Sequence, residues 1–418
     1  MTRVVIYAVG SRGDVEPCLA LGIGMRAAGY AVRIAALDDA RASTTARGLE
    51  FASLGALPAR FASPGRAPSF QGLVGRALFW AVYQRILAST LPAFVDAGDG
   101  ADLIVYTGLG FPGYHLAEAR ELPCASLAFV PGAATGAFVN PLFARSGMSR
   151  GACFNRASFR VEHELMLQST AHHLAGFRRA LGLGPLPRRQ LLAHRWSRTD
   201  AVLLAVSPSL VPRPVDWGPR VHLTGSLRLP AAREVEVAPT LQAFLERGAA
   251  PVYVGFGSMT RGAAARRSAA VVSTLGQLGL RGVLARGWGG MSLEACDLPA
   301  HVCVVDEVAH DWLFRRVQAV VHHGGAGTTA AALRAGQPAV IAPFAYDQWF
   351  WGRLLAAREL GPAPIAATRL DARRLAAALD RLQRTPRYRA NIAPIAAALQ
   401  AEDGVAAAVA ILRRLCPL

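Results

Sequence analysis

The strongest chemical signal in the sequence is a glycine-rich stretch that carries histidine and hydroxyl side chains. It reads Val321-His322-His323-Gly324-Gly325-Ala326-Gly327-Thr328-Thr329, after a β-branched run and before an alanine-rich run of helical pattern. Glycine lets the backbone approach a ligand closely, and the free N–H groups of a helix start favour a phosphate. His323, Thr328 and Thr329 add donors. The stretch predicts a diphosphate cradle; the alternative is a tight turn that needs glycine only for packing.

A second stretch follows the next predicted strand, and so lies at the same edge of the sheet. It reads Ala342-Pro343-Phe344-Ala345-Tyr346-Asp347-Gln348-Trp349-Phe350-Trp351-Gly352. Asp347 and Gln348 together supply hydrogen-bond acceptors and donors, which suits the hydroxyl groups of a sugar. The alternative is a helix start capped by Asp347, which accounts for that aspartate but not for Gln348 beside it.

The elements that position these stretches are short β-branched runs alternating with alanine-rich, helix-like segments. This alternation is typical of βαβ units and of a doubly wound parallel sheet. The predicted strands are Val4–Val9, Val32–Leu37, Leu103–Thr107, Ala125–Phe129 and Val202–Val206, then Pro251–Gly255, Gly282–Arg286, Val302–Val305, Ala319–His322 and Ala339–Pro343. The pattern runs once in each half of the chain, which predicts two α/β domains. A proline-rich, aperiodic segment between the halves marks the linker.

Irregular inserts interrupt the first half at about residues 56–80 and 131–160. Loops that follow strand ends are where α/β proteins bind ligands. The aromatic rings in and beside these inserts are therefore candidates for the wall of an apolar acceptor pocket; they are Phe79, Phe129, Phe138 and Phe143. The alternative is that the rings only pack the inserts onto the core.

Composition limits the function classes. The 418 residues are 52% hydrophobic, which indicates a large core and excludes a disordered chain. The net charge is +17 and comes from arginine alone, so the protein attracts phosphates and allows a loose encounter with an anionic membrane surface. The arginines are scattered and no zinc-finger spacing occurs, which argues against nucleic-acid binding. The six cysteines form no CxxC pair, and we expect reduced thiols in a cytoplasmic protein.

The two stretches together resemble the donor-binding signature of the GT-B glycosyltransferases, within the UDP-glycosyltransferase family. The similarity is to the branch of sterol glucosyltransferases and antibiotic (glycopeptide and macrolide) glycosyltransferases. Two further segments resemble that branch, in order along the chain: Val9-Gly10-Ser11-Arg12-Gly13-Asp14-Val15-Glu16-Pro17 and Val254-Gly255-Phe256-Gly257-Ser258-Met259.

The resemblance implies an α/β fold of the GT-B type, with two facing Rossmann-like domains and a cleft between them. We expect an acceptor-binding domain over residues 1–210, a linker over 211–235 and a nucleotide-sugar-binding domain over 236–385. The segment 386–418 is helical in pattern and, by the resemblance, crosses back to the first domain.

The resemblance also assigns roles to single residues. It places the donor diphosphate on Ser11, Ser258, His323, Gly325, Gly327 and Thr328. It places the base and ribose near Trp288, Val305 and Val308, and the hexose hydroxyls on Asp347 and Gln348. In related enzymes an Asp-Gln pair accompanies a glucose donor, so UDP-glucose is the expected co-substrate, with a dTDP-deoxysugar such as dTDP-rhamnose as the alternative.

The catalytic base is expected to be Asp14. Many relatives carry a histidine in the corresponding loop, whereas the sterol and glycopeptide branch carries this aspartate. Direct inversion requires a side chain that accepts the proton of the acceptor hydroxyl as the oxygen attacks the anomeric carbon. The alternative is that Asp14 only caps the helix that follows it. His115, His163, His172 and His173 are further histidines that could reach an acceptor, although no motif singles them out.

These expectations describe a metal-independent hexosyltransferase that acts on a lipophilic small molecule such as a sterol or a polyketide. No DxD metal motif occurs in the sequence, and no cofactor beyond the donor is expected. The remaining alternatives are a UDP-sugar epimerase and a non-enzymatic nucleotide-sugar-binding protein. A dinucleotide-dependent dehydrogenase is disfavoured because the first loop lacks GxGxxG.

Overall fold

The computed structural model describes residues 1–56, 72–230, 237–257, 264–287, 298–306 and 308–418, and for residues 72–81 and Ser146 it describes the backbone alone. In these ranges the chain forms two parallel β-sheets, each with buried apolar clusters on both of its faces. The α/β fold with two Rossmann-like domains is therefore confirmed.

The first sheet has seven strands in the spatial order β3-β2-β1-β4-β5-β6-β7. They are β1 (Arg3–Ala8), β2 (Ala31–Ala36), β3 (Glu50–Ser53), β4 (Leu103–Thr107), β5 (Cys124–Ala128), β6 (Ala201–Leu204) and β7 (Val221–Leu223). Successive side chains of a strand point to opposite faces. Val4 and Ile6 of β1 accordingly pack in one core, and Val5 and Tyr7 pack in the other.

The second sheet has five strands in the order β10-β9-β8-β11-β12. They are β8 (Val252–Gly255), β9 (Gly282–Ala285), β10 (Val302–Val305), β11 (Ala319–His322) and β12 (Ala339–Ile341). All of the strand pairs in this sheet are parallel. The carboxyl ends of β8, β11 and β12 therefore meet at one edge, where the glycine-rich stretch and the Asp347 stretch begin.

Each predicted strand is present, with ends shifted by one or two residues. The strands β3 and β7 were not predicted, because both are short edge strands with partly exposed side chains and no run of β-branched residues. Strand β7 pairs with β6 and lies inside the segment 211–235 that was expected to be a linker. The first sheet therefore extends to residue 223.

The helices lie between the strands. In the first domain they are α1 (Arg12–Ala27), α2 (Arg41–Thr45), α3 (Gly72–Ala97), α4 (Gly113–Ala119), α5 (Ala152–Ala180) and α6 (Leu191–Arg198). In the rest of the chain they are α7 (Pro239–Glu246), α8 (Ala264–Gln277), α9 (His310–Leu313), α10 (Ala326–Arg334), α11 (Gln348–Ala357), α12 (Ala372–Arg384), α13 (Pro386–Ala401) and α14 (Gly404–Leu415).

The C-terminal helix α14 packs on the first domain. Ala408 and Leu412 lie in the same buried cluster as the residues of β1 and α1. A side chain on Gly24 of α1 would meet Val405 of α14 at 2.3 Å, so the two helices approach closely. Among the described residues no single helix is long and apolar enough to span a membrane, although α13 and α14, bent by 47°, meet those limits as a pair.

The insert 131–160 packs against the second domain. Val139 and Ala144 share a buried cluster with residues of the second sheet, and the ring of Phe138 lies 5.7 Å from that of Phe350 on α11. The Arg145 guanidinium lies over the ring of Trp349. The insert of the first domain therefore supports the helix that begins at the predicted sugar-binding residues.

Candidate active site

The start of helix α1 forms the first-domain side of the site. Gly10 links β1 to this helix with a φ of +152°, and a Cβ at that position would lie 2.3 Å from Oδ2 of Asp14. Ser11 is the N-cap of α1. Glycine at position 10 is therefore required for the Asp14 carboxylate to fold back over the loop.

The carboxylate of Asp14 holds the loop before α1. Its Oδ2 atom accepts hydrogen bonds from the backbone N–H of Ser11 at 2.7 Å and from the Ser11 hydroxyl at 3.0 Å. The expected capping role is thus real, but it uses one carboxylate oxygen. Burial raises the pKa of Asp14 above its ordinary value, and the Ser11 hydrogen bonds oppose this rise. A raised pKa makes this carboxylate a stronger base.

The glycine-rich stretch follows β11 and opens α10. His322 is fully buried, and its Nδ1 accepts the backbone N–H of Gly324 at 3.1 Å. Gly324 has a φ of +94°, and a Cβ on it would meet Ile341 at 2.7 Å. Gly325 is the N-cap of α10 and supplies no side-chain cap, so the first-turn N–H groups remain available to an anion.

The ring of His323 lies between two glycines that leave room for it. A Cβ on Gly325 would approach its Nε2 at 2.5 Å, and a Cβ on Gly257 would approach its Cε1 at 3.2 Å. Burial, with a smaller contribution from His310, lowers the pKa of His323 to about 4. The ring is neutral at pH 7 and carries one N–H, and its buried Nδ1 has no partner among the described residues. Its chemistry fits a hydrogen bond to a phosphate oxygen.

The two threonines after the glycines differ in whether their hydroxyl groups can reach a phosphate. Thr328 is partly exposed beside the exposed Gly327. Thr329 is buried, and its hydroxyl donates to the carbonyl of Gly325 at 2.9 Å. The prediction that Thr329 adds a donor to the cradle is therefore wrong, because this hydroxyl is used inside the helix.

The Asp347 stretch leads into α11, and hydrogen bonds within the stretch hold the side chains of Asp347 and Gln348. The Asp347 Oδ2 atom accepts the indole N–H of Trp351 at 2.7 Å. The Gln348 Oε1 atom accepts the backbone N–H groups of Phe344 at 2.7 Å and Ala345 at 3.0 Å. The side-chain oxygen of Gln348 is therefore committed to the loop.

The structure brings Asp14 and Asp347 into one site. Burial raises the pKa of Asp347 to about 6, the hydrogen bond from Trp351 opposes that rise, and the charge of Asp14 adds to it. In the same way, the charges of Glu16 and Arg12 on α1 act on His310 of α9. The first turn of α1 thus faces the second domain, with Asp14 close enough to act on Asp347 and Glu16 close enough to act on His310.

Comparison with known proteins agrees with this geometry. The Glycosyltransferase family 28 N-terminal domain matches residues 4–138, and the C-terminal domain of the erythromycin biosynthesis protein CIII-like family matches residues 290–415. Sterol 3-beta-glucosyltransferase UGT80B1 of Arabidopsis thaliana is 34% identical over 99% of this chain and 68% of its own length. This chain is a member of the GT-B glycosyltransferases.

Further relatives fit the same family. Sterol 3-beta-glucosyltransferase UGT80A2 of Arabidopsis thaliana is 33% identical over 97% of this chain. The chain spans 64% of the length of that relative and 27% of a Cryptococcus neoformans sterol 3-beta-glucosyltransferase. Among solved structures, the glycotransferase of kitacinnamycin and the calicheamicin glycosyltransferase CalG4 each share the fold with a TM-score of 0.74, at 21% and 17% identity and over 99% of this chain. The two matches extend over 99% and 98% of the glycotransferase of kitacinnamycin and of CalG4, respectively.

The structure describes only part of the region predicted to bind the nucleotide base and ribose. Ser258 and Trp288 lie outside the described residues. Val305 is the last residue of β10 and lies in the core with 8% of its surface exposed. Its side chain therefore offers almost no surface to a nucleotide base. Val308 is partly exposed against the same core. Beside it, His310 stacks on Phe314 with centroids 4.6 Å apart, and its Nε2 lies 3.2 Å from the Tyr253 hydroxyl.

The aromatic rings predicted for the acceptor pocket are partly buried against the cores where the structure describes their side chains. Phe129 packs against the core of the first sheet, and Phe143 packs against the core shared with the second domain. Phe138 lies between Phe159, Trp217 and Phe350. The side chain of Phe79 lies outside the described residues. The packing alternative thus accounts for the contacts of the three described rings.

A cluster of titratable residues lies away from the cleft. His115, Glu118 and His194 have the spacing of metal ligands, but the guanidinium of Arg178 contacts all three side chains. A metal cation bound there would be repelled by the Arg178 guanidinium. We therefore interpret the cluster as an ion-pair network between α4, α5 and α6. His115 is fully buried with a pKa lowered to about 4, which removes it as an acceptor-side base.

Two residues that matter for the site were not predicted to act in it. No hydrogen bond of the side chain was predicted for either His322 or Trp351. The signal for Trp351 was its spacing, because residues four apart on a helix lie on one face. No signal in the sequence shows that its N–H meets the carboxylate of Asp347.

Proposed function

We propose that this glycosyltransferase moves a glucose residue from UDP-glucose to a hydroxyl of a lipophilic small molecule, such as a sterol or a polyketide, with inversion at the anomeric carbon. The observation that carries the proposal is the charge interaction between Asp14 and Asp347, which brings the candidate base near the predicted sugar-binding carboxylate. The sterol glucosyltransferase relatives support the donor sugar and the class of acceptor.

In the proposed reaction Asp14 takes the proton of the acceptor hydroxyl. The acceptor oxygen forms a bond to the anomeric carbon while the bond from that carbon to the diphosphate oxygen breaks, so an α-linked donor gives a β-linked glucoside and UDP. Neutral His323 and the first-turn N–H groups of α10 stabilise the charge on the leaving diphosphate. These donors belong to the protein, and we propose that no metal ion is needed.

The test is transfer by the purified protein in EDTA. UDP-glucose and dTDP-glucose serve as donors, sterols and polyketide alcohols as acceptors, and mass spectrometry detects one added hexose. Asp14→Asn is expected to lose transfer and retain UDP binding, and His323→Ala is expected to weaken UDP binding. Glu16→Gln is the matched control on the same helix, since Glu16 pairs with Arg12 instead.

Each alternative has its own outcome in that experiment. Transfer from the dTDP-glucose arm alone would favour a dTDP-sugar enzyme. Conversion of the UDP-sugar without any acceptor would indicate an epimerase. Tight UDP binding with no reaction of any kind would favour a nucleotide-sugar-binding protein, and absence of UDP binding would overturn the proposal.

We also propose that a loose contact with an anionic membrane supplies lipophilic acceptors, and that the protein acts in the cytoplasm. Phe154, Val161 and Leu165 are 41%, 48% and 53% exposed and are spaced so that they share one face of α5. Exposed Arg160 lies on the same helix. Binding to phosphatidylserine vesicles that weakens with salt and with Leu165→Glu would support the contact. Binding that does not respond to salt would contradict it.

A further inference from the structure

Trp351 is a buried side chain whose single polar group contacts the sugar-side carboxylate. It is 2% exposed, and its indole N–H donates to Oδ2 of Asp347 at 2.7 Å. Tryptophan has no other hydrogen-bonding group, and a buried indole N–H needs a partner. The structure could have satisfied this N–H with a backbone carbonyl, as it does for Trp217 and Ala133. Here it uses a carboxylate at the mouth of the cleft.

The indole of Trp351 is held rigidly. Its ring meets Phe350 edge to face with centroids 5.2 Å apart, and it belongs to the buried cluster of the second domain. The next residue, Gly352, packs closely against Pro364, since a Cβ there would lie 2.8 Å from that residue. A fixed donor restricts the rotamers of the side chain that it bonds.

The hydrogen bond has a consequence for Asp347. The carboxylate accepts the Trp351 N–H on Oδ2 and a further hydrogen bond from its own backbone N–H, so the lone pairs of the carboxylate that remain can accept a hydroxyl from the cleft. Burial and the charge of Asp14 both favour the protonated carboxyl, whereas the Trp351 N–H favours the carboxylate. Arg145 from the insert lies over the ring of Trp349, which is two residues from Asp347, and His323 is neutral at pH 7.

We propose that Trp351 is a positioning residue for the donor sugar, which holds Asp347 so that its carboxylate accepts a sugar hydroxyl. The inference rests on the proposed function, because it assigns Asp347 to the hexose. It predicts that Trp351 contributes to binding of the sugar and not to binding of the nucleoside diphosphate, which the cradle holds.

The experiment compares Trp351→Phe with the wild type by calorimetry, using UDP and UDP-glucose, with dTDP and dTDP-glucose in parallel. Loss of a hydrogen bond to a charged group is expected to weaken binding of the sugar nucleotide by about tenfold. Binding of the bare diphosphate is expected to stay within about twofold of wild type, since no contact to the cradle changes. Sugar-nucleotide affinity is expected to fall at low pH as Asp347 becomes protonated, and we call this fall the acid limb. In Trp351→Phe the acid limb is expected to move to higher pH, because Asp347 loses the hydrogen-bond donor that favours its charged form.

Two controls separate positioning from folding. Trp217→Phe removes another buried indole N–H and is expected to lower Tm without moving the acid limb. In an Asp347→Asn background, Trp351→Phe is expected to have little further effect on sugar-nucleotide binding, as required for residues that act as one unit.

The outcomes are distinct. Equal weakening of UDP and UDP-glucose, or additive effects of the two substitutions, would overturn the positioning role while leaving the proposed function standing. A wild-type protein that binds neither UDP-glucose nor dTDP-glucose would overturn the proposed function itself.

Discussion

Asp14 at the start of α1 and Asp347 at the start of α11 belong to different domains, yet the charge of the first raises the pKa of the second. The two carboxylates are far apart in the sequence and come together only through the docking of the domains. Like charges that face one site favour protonation of one of them. The pair therefore links the proposed base to the carboxylate proposed to bind the donor sugar.

This coupling predicts the pH dependence of donor binding. Asp347 has a pKa of about 6, so the contribution of the sugar to UDP-glucose affinity is expected to rise as pH increases through that value. Asp14→Asn removes a negative charge that raises the pKa of Asp347. The acid limb of UDP-glucose binding is therefore expected to move to lower pH in this variant. Calorimetry between pH 5 and 8 measures the acid limb of the wild type and of Asp14→Asn, with Glu16→Gln as the control. An unchanged limb in Asp14→Asn would show that the two carboxylates do not interact.

Asp347 is also expected to cost stability at neutral pH. A carboxyl whose pKa is higher in the folded than in the unfolded protein stabilises the fold below its unfolded pKa, and this contribution is lost as pH rises through the folded value. Asp347→Asn is thus expected to raise Tm at pH 8, with the difference shrinking towards pH 4, while sugar binding is lost. Scanning calorimetry at both pH values checks this. A lower Tm for the variant at pH 8 would contradict it.

Gly10 is expected to be essential for transfer but not for donor binding. Alanine there would be strained at a φ of +152° and would place its Cβ 2.3 Å from Asp14 Oδ2. Gly10→Ala should therefore displace the candidate base and reduce kcat by at least about tenfold, in line with the loss of a catalytic base. Gly13→Ala is the matched control, because its Cβ would meet nothing closer than the Ser11 hydroxyl at 3.7 Å. Similar losses in both variants would argue against this role.

His322 is expected to shape the cradle through its Nδ1 atom, which accepts the Gly324 N–H. An unpaired buried N–H costs about 1–3 kcal/mol, so His322→Leu should weaken UDP binding by about tenfold or more. His322→Asn places an amide oxygen near the position of Nδ1 and should bind UDP within about threefold of wild type. Equal weakening in both variants, measured by calorimetry, would mean that the imidazole acts by its volume and not by this hydrogen bond.

The predicted acceptor residues show what sequence patterns leave open. The insert 131–160 was predicted to line an acceptor pocket because aromatic loops past strand ends bind ligands. The described contacts of Phe138 and Phe143 are with the cores and with α11, and the pocket remains a prediction. A ring in a loop gives the same sequence signal whether it faces a ligand or a neighbouring helix, and only the docked domains distinguish the two.

The sequence by itself determined the strands, the paired Rossmann-like domains and the two stretches at the edge of the second sheet. These depend on periodicity and on glycine, which act over a few residues at a time. The short edge strands β3 and β7 have too few residues to show a pattern, and β7 is fixed by its pairing with β6. Only the tertiary structure decided that Trp351 holds Asp347, that Thr329 bonds within its own helix, and that Asp14 acts on Asp347. Such contacts depend on rotamers and domain docking, which no local run of residues specifies.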